Sequence, residues 1–513
     1  MQEILILTWA LSQLGFSPQH SHYIECHDID GPAYVLYQQA GSDWDTLGFI
    51  PGPHIVKSWH LPAGASATDS VRYVFPDPIA WAKKRQAADG LPYPADNDPM
   101  RLSPHIRKPG IEFGWDVARR KIHTGAPPPF LSEIPVMDYL SIKGMLREDA
   151  LGPWQPRQAG GVASHVLHST GNRDVELVMG NQLSPFHLRV NNQAVYMLGV
   201  NAIVPHDYQD QERLRKRLIE MWEAGGNAVR FWGGGYYASD RILNTCDSLG
   251  ILVWHDFSYA GTAYPGDSEF RQWAEEEAIY QVRRLTNHPS VVILCGNNEI
   301  DIAWKAWGWQ STYNMSPEDS ATLADNNHWI FEQMLPRVIH EHASQSIAYI
   351  SSSPTSNWGR QEDFLQGNNH DWRVWHGNQP TQVLTETVAP YLSEWGVPSL
   401  PGASVRAQWD EPVEHYMLSY KGLNHLLGYL EREMGYHYSG DEDELARVSQ
   451  EWQALVVSRT IQAHAAARPF CMGSLLWQLN DVDGVITWSL IDADDQPKLA
   501  WEAAKQAWRQ FNQ

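Results

Sequence analysis

The sequence predicts a multidomain α/β plus β protein, a (β/α)8 barrel preceded by a shortened β-sandwich. Three observations carry this. From about Tyr196, short apolar runs alternate with amphipathic helical stretches at intervals of roughly 25–35 residues, the beat of parallel strands joined by helices. Runs such as VVILC (Val291–Cys295) are apolar at every position, as strands buried on both faces are. Before residue 131, short extended pieces (Tyr34–Tyr37, Val71–Phe75, Ile111–Phe113) are separated by Pro, Gly and Asp clusters, which suits antiparallel strands. The expected division is 1–130 for the sandwich, 131–190 for a linker or remnant domain with Gly152–Gly161 exposed, and 191–513 for the barrel.

Within the barrel, Val195–Asn201 is the first strand. Gln211–Ala224 follows as a helix with Leu214, Leu218, Met221 and Trp222 on one face and Gly225-Gly226 as its stop. Ala228–Trp232 is the second strand, Asp240–Leu249 a helix closed by Gly250, and Ile251–Asp256 the third strand. Phe270–Leu285 is a helix ending before Asn287-His288-Pro289, and Val291–Gly296 is the fourth strand. Later units are less regular: helix Ala324–His340, strand Ile347–Ser351, a strand near Leu365–Asn369, strand Leu392–Trp395, helix Glu451–Ala466 and strand Met472–Trp477. The last helix, Pro497–Phe511, lines up Trp501, Ala504, Trp508 and Phe511 in one stripe against the barrel wall.

With 513 residues, 43% hydrophobic and 19% charged, the chain has enough apolar surface for two or three domains. Its formal charge of -22 argues against a nucleic-acid partner, because phosphate binding needs a basic face. No apolar run reaches about 18 residues, so no membrane span is predicted. Met1–Gly15 carries Glu3 and lacks a basic start, which predicts no signal peptide and a cytoplasmic location. Cys26, Cys246, Cys295 and Cys471 lie far apart and read as free thiols of a reducing compartment. Cys295 reads as a buried strand residue, with nothing beside it to activate a thiolate. His288, His370 and His376 lack zinc-like spacing, and neither a metal nor another cofactor is expected. The 24 tryptophans read mainly as core, although indole faces also serve as platforms for pyranose rings.

Two segments point to chemistry. Asn287–Glu299 (NHPSVVILCGNNE) and Pro390–Pro401 (PYLSEWGVPSLP) each run an apolar strand into a glutamate, Glu299 and Glu394. Barrel strands carry function at their C-terminal ends, and two carboxylates facing one another there are the parts needed to cleave a glycosidic bond. The bland alternative is a pair of surface carboxylates at strand ends.

These segments, with VRFWGGG (Val229–Gly235), LGILVWHDF (Leu249–Phe257) and GSLLWQLND with ITWSLID (Gly473–Asp492), resemble the family 2 glycoside hydrolases, and among them the β-mannosidase branch most closely. They follow the family's order across the barrel. Upstream, IRKPGIEFGWD (Ile106–Asp116) looks like the loop that the branch's sugar-binding sandwich extends towards the barrel mouth, with weaker likenesses at Ile24–Val35 and Gly52–Val56. The chain also departs from the pattern. It begins well inside the sandwich, leaves little room for the usual immunoglobulin-like domain, and ends directly after the barrel without the trailing β domains. Val117-Ala118-Arg119 stand where Trp-Gly-Pro often follows the loop's Asp.

The resemblance implies a retaining hydrolase that releases terminal non-reducing β-D-mannose from mannosides or glycan fragments through a covalent glycosyl-enzyme. By motif position Glu299 would be the general acid/base, Glu394 the nucleophile, and Asn298 the partner of the sugar 2-hydroxyl. Trp232, Trp372 and Trp477 would wall the sugar pocket, with plain rim packing as the alternative. Trp115 and Asp116 would reach over from the sandwich, and Arg230 would orient Glu394. Other specificities remain open, namely β-glucosaminidase, β-galactosidase and β-glucuronidase. Glucosaminidase-like relatives tend to place an aspartate where Glu299 stands, which leans towards mannose. A sugar-binding relative without activity is the reading from a different class.

Overall fold

The structure, a computed structural model, describes residues 173–510 apart from 181–184, 206–207, 265, 267, 313–314 and 357–363, together with five short strands between residues 23 and 74. Ile111–Phe113, Trp115, Asp116 and Gly152–Gly161 lie outside the described residues. The chain divides into two compact units. The first holds β1 (Tyr23–Cys26), β2 (Ala33–Gln38), β3 (Asp45–Ile50), β4 (Lys57–His60) and β5 (Ser70–Val74), and helix Ser268–Leu285 falls almost wholly within it. β1 pairs with β4, and β3-β2-β5 form a three-stranded sheet; all of these pairings are antiparallel, as the short punctuated segments predict.

The second unit opens with an antiparallel meander, β6 (Val175–Val178), β7 (His187–Val190) and β8 (Gln193–Val195). Its last turn is Asn191-Asn192, both at positive φ (50° and 63°), the geometry of a tight hairpin whose twist matches the flanking strands. The division expected at 190/191 falls in this turn. Phe186, Leu188, Val190 and Val195 from the meander pack with Met197, Ala228, Leu252, Val292 and Tyr391, so the meander covers the N-terminal ends of the strands that follow. Each such side chain contributes about 1.5–3 kcal/mol by leaving water.

Eight parallel strands come next: β9 (Met197–Ala202), β10 (Ala228–Phe231), β11 (Leu252–Asp256), β12 (Val291–Cys295), β13 (Ala348–Ile350), β14 (Asn369–Asp371), β15 (Leu392–Trp395) and β16 (Gly473–Leu476). Their order is β13-β12-β11-β10-β9-β16-β15-β14, so the last strand in sequence lies beside the first, as closing a (β/α)8 barrel requires. Every residue of β9–β12, β15 and β16 is buried, which is why these strands read as unbroken runs. The seam between β13 and β14 is held by a side chain instead of a ladder. Asn368 donates from Nδ2 to Ser353 Oγ and Ser393 Oγ, both at 2.8 Å, and accepts at Oδ1 from the Thr355 N–H at 2.7 Å.

The helices follow from the apolar stripes. Tyr208–Ala224 buries Leu214, Leu218, Met221 and Trp222. Asp240–Leu249 ends at Gly250, whose φ of 69° is the left-handed conformation glycine adopts without a Cβ clash. Leu499–Gln510 buries Trp501, Ala504 and Trp508 and packs against Glu442–Ala466; Phe511 lies outside the described residues. Most boundaries shift by one to three residues, and three elements differ further from the sequence expectation. The helix predicted from Glu451 begins at Glu442, because the Asp441 carboxylate caps the Asp443 and Glu444 N–H groups. The helix predicted over Ala324–His340 is Pro317–His328, a π-helical turn Trp329–Met334, and Leu335–His342, in which Pro336 has no N–H to donate. The strand predicted near Leu365–Asn369 is Asn369–Asp371. No helix among the described residues is long and apolar enough to cross a membrane.

Candidate active site

The site forms at the C-terminal ends of the barrel strands. β12 leads into Asn297, Asn298 and Glu299. Asn297 fixes the turn, accepting at Oδ1 from the Ile300 N–H (3.0 Å) and from Ser352 Oγ (2.7 Å). Glu299 itself stands in the left-handed conformation, φ 62° and ψ 5°, which costs a non-glycine residue on the order of 1 kcal/mol or more. Its N–H donates to the Ser353 carbonyl at 2.7 Å and its carbonyl accepts from Ala303 at 2.9 Å. Glu394 is the third residue of β15 and is 3% exposed.

Arg230, third in β10 and wholly buried, is the hub. Its guanidinium donates to Glu394 Oε1 (2.7 Å), Asn298 Oδ1 (2.7 Å), Asn201 Oδ1 (3.1 Å) and both oxygens of Asp256 (3.2 and 2.7 Å). Asp256 ends β11 and also accepts from Trp254 Nε1 (2.9 Å) and from the Gly233 N–H (3.1 Å). Asn201 Nδ2 ties the hub to β15 and β16 by donating to the Ser393 and Leu475 carbonyls, at 2.8 and 3.1 Å. Burial alone would lower the Arg230 pKa; Asp256 and Glu394 outweigh it, so the guanidinium stays charged. Because Arg230 occupies Asn298 Oδ1, the Asn298 amide N–H groups serve other partners, Glu299 among them.

Between the two glutamates stands His370, at the centre of β14. Its Nδ1 is 2.7 Å from Glu299 Oε1 and 3.3 Å from Glu394 Oε2. Burial first, and then Arg230, push the imidazole down to about 3 against the pull of Glu394 and Asp256, so the ring is neutral. Burial raises Glu299 to about 7, partly offset by Arg230 and a hydrogen bond from Asn298. Burial also raises Glu394, and Glu299 adds to this, while His370 and Arg230 work in the opposite direction. The two glutamates thus sit in unlike surroundings: a guanidinium grips Glu394, and Glu299 has only neutral donors at hand.

Glu299, His370 and Glu394 bring donor atoms within 4.8 Å of one another, a set of the kind that can hold a divalent cation. The spacing suits a hydrogen bond better. Two ligands about 2.1 Å from one tetrahedral ion lie roughly 3.4 Å apart, and Nδ1 to Glu299 Oε1 is 2.7 Å.

Of the aromatic residues singled out from sequence, Trp232 and Trp477 meet edge to face, ring centres 5.1 Å apart, and the Trp232 Nε1–H is buried without a partner. Trp372 is 6% exposed and packs edge-on against Trp488 (5.9 Å) and His376 (5.5 Å). Sequence reasoning missed three participants. Asp256 lay inside a quoted motif without a role, Asn201 carried no signal, and His370 was weighed only as a zinc ligand.

No family model matches the chain. Two curated relatives are β-mannosidase B of Aspergillus terreus, 30% identical over 374 residues (67% of this chain, 43% of that protein), and β-mannosidase B of Aspergillus flavus, 32% identical over 360 residues (66% and 42%). The chain therefore spans less than half the length of these relatives. A solved β-D-mannosidase from Dictyoglomus thermophilum matches with a TM-score of 0.59 at 22% identity, covering 95% of this chain and 52% of that one, and it shares the fold. The fold is that of the solved β-D-mannosidase, and the curated relatives are β-mannosidases by name. In sequence the chain is similar to family 2 glycoside hydrolases of the β-mannosidase branch.

Proposed function

We propose that the chain is a retaining glycosidase that releases terminal β-linked mannose. The observation that carries this is the approach of Glu299 and Glu394, with carboxylate oxygens within 4.8 Å. Retaining enzymes hold their carboxyl groups about 5–5.5 Å apart, whereas inverting ones leave roughly 6.5–9.5 Å for a water. The unlike surroundings support a division of roles. Glu299, raised to about 7, keeps a proton to donate near neutral pH. Glu394, gripped by Arg230, is the group favoured as the anion that attacks the anomeric carbon.

In the first half-reaction Glu299 gives its proton to the leaving oxygen while Glu394 forms the ester to the sugar. In the second, Glu299 removes a proton from water, and the water oxygen displaces Glu394. Arg230 occupies Asn298 Oδ1, which leaves the Asn298 amide N–H groups as the donors that would serve the 2-hydroxyl. Trp477 and Trp372 complete the proposed wall. Mannose is favoured over glucosamine, galactose or glucuronate by the names of the relatives and by glutamate at position 299. A cytoplasmic location belongs to the same proposal, supported by the buried free thiols Cys246, Cys295 and Cys471.

The test is release of nitrophenol from p-nitrophenyl β-mannoside by wild type and Glu394→Ala, with the first product anomer read by NMR. A β-anomer from wild type, lost in the variant, supports the reading. Equal release by both proteins, or an α-anomer first, ends it.

A further inference from the structure

His370 bridges two hydrogen-bond networks, and the hydrogens can be assigned around it. Asn368 Nδ2 gives its two hydrogens to Ser353 Oγ and Ser393 Oγ, each at 2.8 Å. Ser393 Oγ donates to the Asn369 carbonyl at 3.2 Å. The Ser353 hydroxyl hydrogen then has His370 Nε2 at 3.0 Å, nearer than Ser393 Oγ at 3.2 Å. Nε2 therefore accepts, and the network assigns the ring proton to Nδ1. That one N–H is hydrogen-bonded to Glu299 Oε1 at 2.7 Å, and Glu394 Oε2 lies 3.3 Å from the same nitrogen. The other charged groups bearing on the ring are Arg230 from β10 and Asp256 from β11.

We infer that His370 is a positioning residue whose single Nδ1–H follows the negative charge between the two glutamates during turnover. The inference rests on the retaining mechanism proposed above. Before attack the charge is on Glu394. Arg230 holds Oε1, so Oε2 is the oxygen available to attack, and it lies 3.3 Å from His370 Nδ1, within reach of its hydrogen. As Oε2 bonds to the anomeric carbon, the bond to the leaving oxygen breaks and the Glu299 proton passes to that oxygen. The charge is then on Glu299, and the Nδ1–H belongs wholly to its Oε1. When water is deprotonated by Glu299 and its oxygen cleaves the ester, the charge and the hydrogen bond return to Glu394. Contact at Oε1 also leaves the proton to be donated on Oε2 of Glu299. A neutral ring suits this role, because it offers a hydrogen without competing as an acid.

The test compares His370→Asn, whose amide nitrogen falls where Nδ1 was, with His370→Gln, whose amide reaches towards Ser353 instead. With 2,4-dinitrophenyl β-mannoside the second half-reaction limits kcat, and its acidic limb reports ionisation of Glu299 in the glycosyl-enzyme. Losing a donor to that anion moves the limb up by about one pH unit in His370→Gln and not in His370→Asn. Ser353→Ala frees the tautomer from the far side of the ring and is expected to move the limb the same way by less. Thermal unfolding of each variant confirms that it is folded. Equal limbs in His370→Gln, His370→Asn and wild type, or equal shifts in both His370 variants, overturn the inference while leaving the mechanism standing. Wild type that turns over no glycoside overturns both.

Discussion

Arg230 Nη1 lies 2.7 Å from Glu394 Oε1 with the two side chains 0% and 4% exposed, and the same guanidinium holds Asn298 and Asp256. A planar fork can serve three partners at fixed angles; an ammonium cannot. Arg230→Lys is expected to fold and to lose roughly 100-fold in kcat/KM, because Glu394 and Asn298 lose their aim. Arg230→Ala leaves Asp256 buried without a counter-charge and is expected to cost about 3–5 kcal/mol in urea unfolding. Wild-type kcat/KM in Arg230→Lys would remove Arg230 from the positioning of the glutamates.

In its proposed role as proton donor, Glu299, raised to about 7 chiefly by burial, is expected to set the alkaline limb of activity. The sign follows from its role: the donor must be protonated, so kcat/KM is full well below that value and falls as pH rises through it. Glu299→Gln cannot donate, so its kcat/KM should lose that limb. The loss should be severe for a poor leaving group such as methanol and mild for dinitrophenolate, which departs without a proton. A pH profile of both substrates on both proteins decides this. An alkaline limb that survives in Glu299→Gln would assign it to another group.

Most of the barrel was legible because buried parallel strands leave apolar runs with no polar beat. β14 was not, because its three residues are Asn369, His370 and Asp371, all buried and all polar. Partners of the central His370, such as Ser353 and Glu299, come from elsewhere in the chain, so no apolar pattern marks the strand. The glutamates were legible as strand-exit carboxylates in a family motif. His370 was legible only as a residue type, since its meaning arises when the C-terminal ends of β12, β14 and β15 meet at one end of the barrel. Asp256 and Asn201 were hidden for the same reason.

His288 pairs with Asp247 (2.7 Å) and Asp240 (3.5 Å), away from the glutamates. Burial would lower its pKa, but Asp247 and Asp240 outweigh this and raise it to about 9. A raised folded-state pKa means that the contribution is complete below the unfolded value near 6.5 and is lost as pH rises through about 9. The shift corresponds to roughly 3 kcal/mol at most. Urea midpoints for wild type and His288→Asn should differ most at pH 6 and converge by pH 10. A gap that stays constant with pH would show that His288 acts through packing alone.

Gly199 in β9 faces Ala228 in β10, and a Cβ there would run into the Ala228 carbonyl oxygen. The collision is with backbone, so relief requires parting the strands that carry Asn201 and Arg230. Gly199→Ala is expected to cost about 1–3 kcal/mol in stability, and to lower kcat/KM because the hub shifts. Gly428, inside helix Leu423–Met434, has nothing within 4 Å of its would-be Cβ and no positive φ. Gly428→Ala is expected to stabilise by roughly 0.5–1 kcal/mol, mainly by reducing the freedom of the unfolded chain, with kcat/KM unchanged. Urea midpoints and kcat/KM for the two variants side by side separate crowding at the barrel wall from backbone entropy. Similar stability for the two would contradict the close approach of β9 and β10.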